Sequence, residues 1–385
     1  MRNVAVAGIG QTKFGEHWDK SIRDLIVEAG NSAINDASIE RNEIDSLFIG
    51  CMSSGRYTGQ EHLGALAADN LRLGHIPATR FEGACASGSL ALRNAYINVA
   101  SGRSDVAIVL GVEKMTDVAG DEAITSLAAA GDQEWEAAIG LTFAGLYALM
   151  ARKHMHDYGT TREQMALVSV NNHHNGFNNK YAQFQTKITV DDVLKSSMVA
   201  DPLRLLDCSP ITDGAAALVL MSADKARAVE NPVWMIGTGQ GSDTIALHDR
   251  ASYTEIMATK VAAREALTDA RIEMNNIDVL EVHDCFSINE IIALEDLGFC
   301  AKGDGGRFVE NGEISLSGSI PTNTSGGLKA GGHPVGATGV RQAIDIVRQL
   351  RGDAFNKVNA QKGLTLNIGG SGATAVINVF STEGK

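Results

Sequence analysis

Short apolar runs alternate with amphipathic stretches along most of the chain. Seven of the runs predict doubly buried strands: VAVAGI, SLFIG, VAIVLGV, AALVLMS, VWMIGTG, VLEVH and LTLNIGG. Between them, apolar residues at three- and four-residue spacing predict helices in IRDLIVEAGNSAINDA, SLALRNAYINVASG, TKVAAREALTDA and GVRQAIDIVRQLR. Because strands and helices alternate, the pattern predicts an α/β layer structure.

The chain also repeats itself. AINDASIERNEID, from Ala33, matches ALTDARIEMNNID, from Ala266, and CASGSLALRNA, from Cys85, aligns with HPVGATGVRQA, from His333. VAIVLG and LTLNIG follow in the same order, which predicts a duplicated α/β unit with halves 1–232 and 233–385. The polar stretch from about 115 to 200 has no counterpart in the second half, so we expect an insertion that forms a lid or binding loops.

Charge and cysteine content narrow the class of protein. A net charge of -13 argues against nucleic acid or an anionic membrane as a partner. No run approaches the roughly 18 apolar residues of a membrane span, and the apolar start breaks at two glycines, unlike a signal peptide. Five scattered cysteines without a CxxC pair predict free thiols in the cytoplasm and no zinc or other metal site.

The aligned turns at Cys85 and His333 are the first candidate chemistry. Cys85 lies among small residues before a predicted helix, where the helix N-terminus is expected to lower the thiol pKa for nucleophilic attack. His333 stands in the matching turn and is a candidate general base. From these turns alone, a buried structural cysteine and a histidine that caps a glycine-rich turn remain open.

Two further segments follow buried strands. NIGGSG, from Asn367, can expose backbone N–H groups as an oxyanion hole. HDCFS places His283, Asp284 and Cys285 at the carboxyl end of VLEV, where sites form in α/β folds.

The ordered set GACASG, HDCF, GGHPVGATG and a terminal glycine loop resembles the thiolase superfamily over essentially the whole chain. It is most similar to the branch of sterol-carrier-protein-type and archaeal acetoacetyl-CoA thiolases, in which HDCF replaces NEAF. This resemblance implies the thiolase fold, in which two duplicated α/β halves form five α-β-α-β-α layers. It also implies reversible condensation of two acetyl-CoA molecules to acetoacetyl-CoA and CoA, with no cofactor beyond the CoA of substrate and product.

The resemblance also implies a role for each matching residue. Cys85 corresponds to the acylated nucleophile, and His333 to the base that activates it and helps to polarise the incoming thioester. His283 corresponds to the HDCF histidine that holds the thioester oxygen of the second acyl-CoA. Gly369 and the backbone N–H of Cys85 correspond to the second oxyanion hole.

One position departs from the pattern of many thiolases. Asn367 stands where those enzymes have the cysteine of a terminal CxG motif. Another residue must therefore act as the catalytic acid and base, and the resemblance to this branch implies Cys285 of HDCF. Packing of a buried Cys285 is the alternative reading. By resemblance, we also expect a homodimer or homotetramer with VAIVLGV as an edge strand. Further expected partners are a hydroxymethylglutaryl-CoA synthase and a small zinc-ribbon/OB-fold protein of mevalonate synthesis.

No basic cluster marks a site for the CoA phosphates, since this acidic chain has few groups of Lys and Arg. The candidates for the pantetheine arm and the phosphates are Ser242, Lys180, Lys187, Arg204, His248 and Arg250. Three other functions stay open. They are a degradative or retro-Claisen enzyme for longer or aromatic β-ketoacyl-CoA, a ketoacyl synthase that uses a carrier protein, and a non-catalytic acyl-CoA carrier or scaffold. The GGHPVGATG and HDCF segments disfavour the ketoacyl synthase, and retention of Cys85 and His333 disfavours the carrier or scaffold.

Overall fold

The computed structural model describes residues 2–384, in which strands and helices alternate as the apolar pattern predicts. The strands are β1 (Val4–Gln11), β2 (Ser46–Gly50), β3 (Ala78–Phe81), β4 (Val106–Glu113), β5 (Met198–Ala200), β6 (Leu203–Arg204), β7 (Gly214–Ser222), β8 (Val233–Ser242), β9 (Val279–Glu281), β10 (Lys362–Gly369) and β11 (Thr374–Ser381). The helices of the first half are α1 (Ile22–Asp36), α2 (Ser54–Thr58), α3 (Leu63–Asn70), α4 (Ser87–Ala100), α5 (Gly120–Ala128), α6 (Phe143–Tyr158), α7 (Arg162–Gly176), α8 (Val190–Lys195) and α9 (Ala223–Ala226). Those of the second half are α10 (Met257–Ala270), α11 (Ser287–Leu297), α12 (Gly305–Glu310), α13 (Gly327–Gly331) and α14 (Thr338–Arg351).

Nine strands form one mixed sheet in the order β3-β2-β4-β7-β1-β8-β11-β10-β9. Its two arms meet where β1 pairs antiparallel with β8, from Val4 opposite Met235 to Val6 opposite Val233. Outward from that contact, β1–β7–β4–β2 and β8–β11–β10–β9 both pair antiparallel, antiparallel and then parallel. The arms therefore share one arrangement, as a duplicated unit requires. The division at residues 232 and 233, just before β8, stays a prediction.

Helices cover both outer faces and fill the space between the arms. α1 packs against the β1 arm, and α10 against the β8 arm. The middle layer is α4 and α14, whose apolar residues share one cluster with strands of both arms, including Ala95, Ile344, Val109 and Val279. The layers are therefore helix, sheet, helix, sheet, helix, which confirms the expected five-layer α/β architecture.

Glycines set how closely the outer helices approach the sheet. A Cβ on Gly8 or Gly10 of β1 would stand 2.2 or 2.3 Å from backbone oxygens of α1. On β8, a Cβ on Gly239 or Gly241 would stand 2.1 or 2.2 Å from backbone oxygens of α10. Only glycine fits such contacts, so the glycine-rich strands of both halves serve helix–sheet packing.

The stretch from 115 to 200 folds into helices α5 to α8 and the hairpin strand β5. α6 buries Leu146 and Met150 in the core of the second half. β4 is paired on both sides, with β2 and β7, so the prediction that VAIVLGV forms a sheet edge was wrong. In the described sheet, the end strands are β3 and β9. Among residues 2–384, no helix is both long and apolar enough to cross a membrane.

Candidate active site

The nucleophile candidate lies in a tight turn between β3 and α4. Residues Ala84–Ala86 form one 3₁₀ turn, and Ala84 has a φ of 53°, a left-handed conformation that is unfavourable for a residue with a Cβ. Ser87 holds the turn, because its hydroxyl accepts from the Gly83 N–H at 3.0 Å and donates to the Ala84 carbonyl at 2.6 Å. The turn presents Cys85 with only 9% of its surface exposed.

Burial controls the protonation of Cys85. It raises the pKa of the thiol to about 12, although the backbone N–H groups of Gly370 and of Cys85 itself act in the opposite direction. The expected net direction was therefore wrong, because burial outweighs the lowering of the Cys85 pKa by these backbone groups. A neutral thiol needs a base to become a nucleophile.

Two imidazoles lie beside this thiol. The Cys85 sulfur and one ring nitrogen each of His283 and His333 all lie within 4.8 Å of one another. The two rings meet edge to face, with centroids 5.1 Å apart and planes at 80°. The structure thus brings together three residues that are separated by up to 248 positions in the chain, because the middle helix layer joins the two arms.

His333 is held from both its backbone and its ring. Its N–H donates to the Thr212 hydroxyl at 2.9 Å, and its Nδ1 lies 2.7 Å from Thr338 Oγ1. Its Nε2 has no hydrogen-bond partner among the described residues. Burial, followed by the charge of Arg341, lowers the pKa of His333 to about 3, so the imidazole is neutral and can accept a proton.

His283 is equally buried and has a different ring partner. Its Nδ1 lies 3.2 Å from the side-chain nitrogen of Asn367, and its Nε2 lacks a partner in the described part of the chain. Burial and then the nearby His333 and Arg341 hold the pKa of His283 well below its usual value. Both imidazoles therefore face the thiol in the neutral form.

Cys285 lies on another wall of the same space, 5% exposed. Burial raises the pKa of its thiol well above the ordinary value, Cys85 raises it further, and a hydrogen bond with Tyr147 opposes both. Tyr147 belongs to α6, and its hydroxyl also donates to the Gly370 carbonyl at 3.1 Å. Tyr147 thus links the second thiol to the loop at the first, a contact that no motif in the sequence indicates.

Asp284, the HDCF carboxylate, is held by hydrogen bonds from two other segments. It accepts from the backbone N–H groups of Leu328 and Lys329 at 2.6 and 3.0 Å, and from the Asn172 side chain at 2.8 Å. Asp284 therefore anchors α13, the helix that leads into the His333 turn. Its role in this structure is to position that turn.

The glycine loop after β10 closes the site. A Cβ on Gly369 would stand 2.3 Å from the Gly83 carbonyl, so glycine is required for this loop to touch the nucleophile turn. The backbone N–H that reaches the Cys85 sulfur belongs to Gly370, the next residue, which sequence reasoning missed. The oxyanion role of Gly369 stays a prediction.

These groups surround a cavity of about 90 Å³ with mostly apolar walls. The insertion supplies part of the wall, as the prediction of a lid or binding region requires. The lining residues are Cys85, Met115, Leu127, Phe143, Tyr147, Ser209, Pro210, Ile211, Cys285, Phe286, His333, Val335 and Gly370. A space of this size beside the thiol suits a small acyl group.

The CoA candidates lie in separate environments. Ser242 is exposed at the end of β8, opposite Thr374 and next to the glycine loop. Three others already have local contacts: Lys187 with the Phe177 ring, Arg204 with the Ser196 carbonyl, and His248 with Glu136 and Asp249. The structure shows no shared phosphate cluster among these four described residues, and their role in CoA binding stays a prediction.

The two remaining CoA candidates differ from each other in burial. Lys180 is exposed, with its ammonium group over the Tyr181 ring. Arg250 is buried, and its guanidinium donates to the carbonyls of Ser371 and Thr244 at 2.7 and 3.2 Å. The prediction that Arg250 meets a CoA phosphate was therefore wrong, because its donors brace the glycine loop.

A thiol beside a neutral imidazole and an acyl-sized cavity is typical of enzymes that carry an acyl group on cysteine. Family comparison agrees: "Thiolase, N-terminal domain" matches residues 4–224, and "Thiolase C-terminal domain-like" matches residues 239–382. The chain belongs to the thiolase family.

Individual relatives span the whole chain. It is 56% identical to an acetyl-CoA acetyltransferase of Methanothermobacter thermautotrophicus, over 99% of this chain and 100% of that one. It is 50% identical to an acetyl-CoA acetyltransferase of Methanocaldococcus jannaschii, over 100% of both chains. Among solved structures, the Ltp2-ChsH2(DUF35) aldolase superimposes with a TM-score of 0.86 at 27% identity, covering 98% of this chain and 97% of that one.

Proposed function

We propose that this enzyme is an acetyl-CoA acetyltransferase, which condenses two acetyl-CoA molecules reversibly to acetoacetyl-CoA and free CoA through an acetyl group on Cys85. The observation that carries the proposal is the cluster of Cys85, His283 and His333 within 4.8 Å at a cavity of about 90 Å³. The two archaeal relatives with that name support it. The small cavity disfavours longer or aromatic acyl groups.

In the first half-reaction, His333 Nε2 takes the proton of the Cys85 thiol, and the thiolate attacks the carbonyl carbon of acetyl-CoA. The backbone N–H groups at the thiol stabilise the oxyanion that forms. The tetrahedral intermediate collapses with loss of CoA thiolate, which takes a proton from the Cys285 thiol. The products are acetyl-Cys85, free CoA, an imidazolium at His333 and a thiolate at Cys285.

In the second half-reaction, the Cys285 thiolate takes a proton from the α-carbon of a second acetyl-CoA. His283 and the His333 imidazolium donate hydrogen bonds to the enolate oxygen. The enolate carbon attacks acetyl-Cys85, a carbon–carbon bond forms, and the Cys85 thiolate leaves with the proton of His333. Every group returns to its neutral resting form, which agrees with the raised pKa values of both thiols and the lowered pKa values of both imidazoles.

The setting of the reaction is also part of the proposal. Condensation of two acetyl groups is uphill, so we propose that a downstream pathway, mevalonate synthesis, consumes the product. We also propose that the enzyme is a homodimer or homotetramer in the cytoplasm. A hydroxymethylglutaryl-CoA synthase and a small zinc-ribbon/OB-fold protein are the proposed partners, with CoA as the only coenzyme. The likeness to the Ltp2-ChsH2(DUF35) aldolase, whose name joins two components, supports an accompanying protein.

Mass spectrometry after incubation with acetyl-CoA tests the proposal. We expect one acetyl adduct, located on Cys85, in the wild-type enzyme and in a Cys208→Ala control. Cys208 is a partly exposed thiol that does not line the cavity. The adduct disappears in Cys85→Ala. An enzyme that carries no acetyl group on any cysteine would contradict the proposal.

A further inference from the structure

The two imidazoles at the thiol have ring partners of different hydrogen-bonding character. His333 Nδ1 lies 2.7 Å from Thr338 Oγ1, and the Thr338 hydroxyl also donates to the Pro334 carbonyl at 3.1 Å. A hydroxyl has one hydrogen, so with that hydrogen on Pro334 its oxygen accepts from His333 Nδ1–H. This arrangement leaves the lone pair of His333 on Nε2, which faces the site as a base.

His283 has the opposite arrangement. Its Nδ1 faces the amide nitrogen of Asn367 at 3.2 Å, and an amide NH₂ only donates. Nδ1 must therefore be the acceptor, and the ring proton lies on Nε2. His283 Nε2 has no protein partner among the described residues, and one ring nitrogen of His283 lies within 4.8 Å of the Cys85 sulfur, so the Nε2–H is free to donate to a substrate oxygen.

The Asn367 amide meets His283 through its nitrogen. Its other terminal atom, Oδ1, has no hydrogen-bond partner among the described residues, and neither does the buried Ser89 hydroxyl near it. The tautomer of His283 is therefore inferred from the Asn367–His283 contact itself.

We propose that Asn367 is a positioning residue that holds His283 as an Nε2–H donor, while Thr338 holds His333 as an Nε2 base. The inference rests on the proposed function and extends it, because it makes His333 the base for Cys85 and makes His283 a donor to the enolate oxygen that needs no prior protonation. With the opposite tautomer, His283 would turn a lone pair towards that oxygen and repel it.

Asn367→Ala and Asn367→Asp test the inference through the two half-reactions. N367A should acetylate Cys85 normally, whereas condensation falls on the order of 10²- to 10³-fold, as for loss of one oxyanion donor. Asn378→Ala is the matched control, since Asn378 is also a fully buried strand asparagine and bonds Thr238 instead of His283. The control should condense at the wild-type rate.

The aspartate variant adds a pH signature that a purely structural role would not produce. The N367D carboxylate would accept from Nδ1–H and raise the pKa of His283. At a pH below the pKa of His283 in this variant, the imidazolium still carries Nε2–H, and the variant condenses. At a pH above that pKa, the one remaining ring proton lies on Nδ1 and faces the carboxylate. The rate of condensation then falls about tenfold per pH unit. The charged or titratable groups around His283 are Cys85, His333, Arg341 and, on its own strand end, Glu281 and Asp284.

Imidazole nitrogen NMR of the wild-type enzyme reads the tautomers directly, even if a variant fails to fold. We expect a proton on Nε2 of His283 and on Nδ1 of His333, assigned with His283→Gln and His333→Gln. Identical tautomers, or condensation by N367A within about threefold of the wild-type rate, would overturn the inference. If the wild-type enzyme never acetylates Cys85, the proposed function itself has failed, and the tautomer result stands apart from it.

Discussion

Enlarging the acyl cavity should change the choice of acyl group. The cavity beside Cys85 measures about 90 Å³ and is lined mostly by apolar side chains, so its walls limit the size of the acyl group on the thiol. Phe143 lies at the start of α6 and forms part of the wall. Phe143→Ala removes a whole ring from this wall and opens space for a longer chain.

The size of the effect follows from packing. In the wild-type enzyme, forcing extra methylenes into a filled cavity costs about 1–3 kcal/mol. In the variant, each added methylene is buried with a gain of about 0.8 kcal/mol. Butyryl-CoA has two more methylenes than acetyl-CoA, so the preference for it should shift by about 3–5 kcal/mol, which is on the order of 10²- to 10³-fold in kcat/KM.

Acylation of Cys85 by each thioester, followed by quenching and intact mass, measures the first half-reaction alone. Leu149→Ala is the control, because Leu149 lies on the same helix, is 45% exposed and does not line the cavity. Thermal unfolding shows whether Phe143→Ala remains folded. A wild-type enzyme that accepts butyryl or aromatic thioesters as fast as acetyl-CoA would refute the size argument and favour the degradative or retro-Claisen alternative.

Three other perturbations have expected outcomes. Cys285→Ala should still acetylate Cys85 in a burst assay but condense on the order of 10²- to 10⁴-fold more slowly, and a near wild-type rate would remove Cys285 from the acid/base role. Arg341→Met leaves the buried Asp345 carboxylate without its cation, so urea unfolding should show a loss of about 3–5 kcal/mol; an unchanged midpoint would contradict this. Because burial raises the pKa of Cys85 to about 12, the thiolate fraction and the rate of iodoacetamide alkylation should keep rising above pH 9, where an ordinary thiol would level off.

Much of the fold can be predicted from the sequence because strands buried on both faces consist of continuous apolar runs. All seven predicted strands and four predicted helices exist in the structure. β3 and β11 were not predicted. β3 is only four residues long, half-exposed and contains Arg80, and β11 carries Asn378, whose amide oxygen accepts from Thr238 inside the sheet. β11 nevertheless contains the apolar run AVINVF, which local reasoning could have found.

The active-site residues also include some that could be predicted from the sequence and some that could not. Cys85, His283, Cys285 and His333 could be selected from ordered motifs. In the structure, Cys85, Cys285 and His333 line one cavity, and His283 lies within 4.8 Å of Cys85 and His333. Tyr147 could not, because its contact with the glycine loop depends on how the insertion packs. The pKa of Cys85 was predicted in the wrong direction, since the helix terminus is visible in the sequence and the burial that outweighs it is not.

The duplication explains why the nucleophile and the base meet at all. Gly88 and Gly336 are equivalent in the two halves, and a Cβ on Gly88 would stand 2.6 Å from the Gly336 carbonyl. The two equivalent turns therefore contact each other. Each precedes one helix of the middle layer, α4 after the Cys85 turn and α14 after the His333 turn. Because this contact is backbone against backbone, neither turn can move without the other. The distance between thiol and imidazole is thus set by the middle layer, while the insertion supplies Met115, Leu127, Phe143 and Tyr147 to the wall of the cavity.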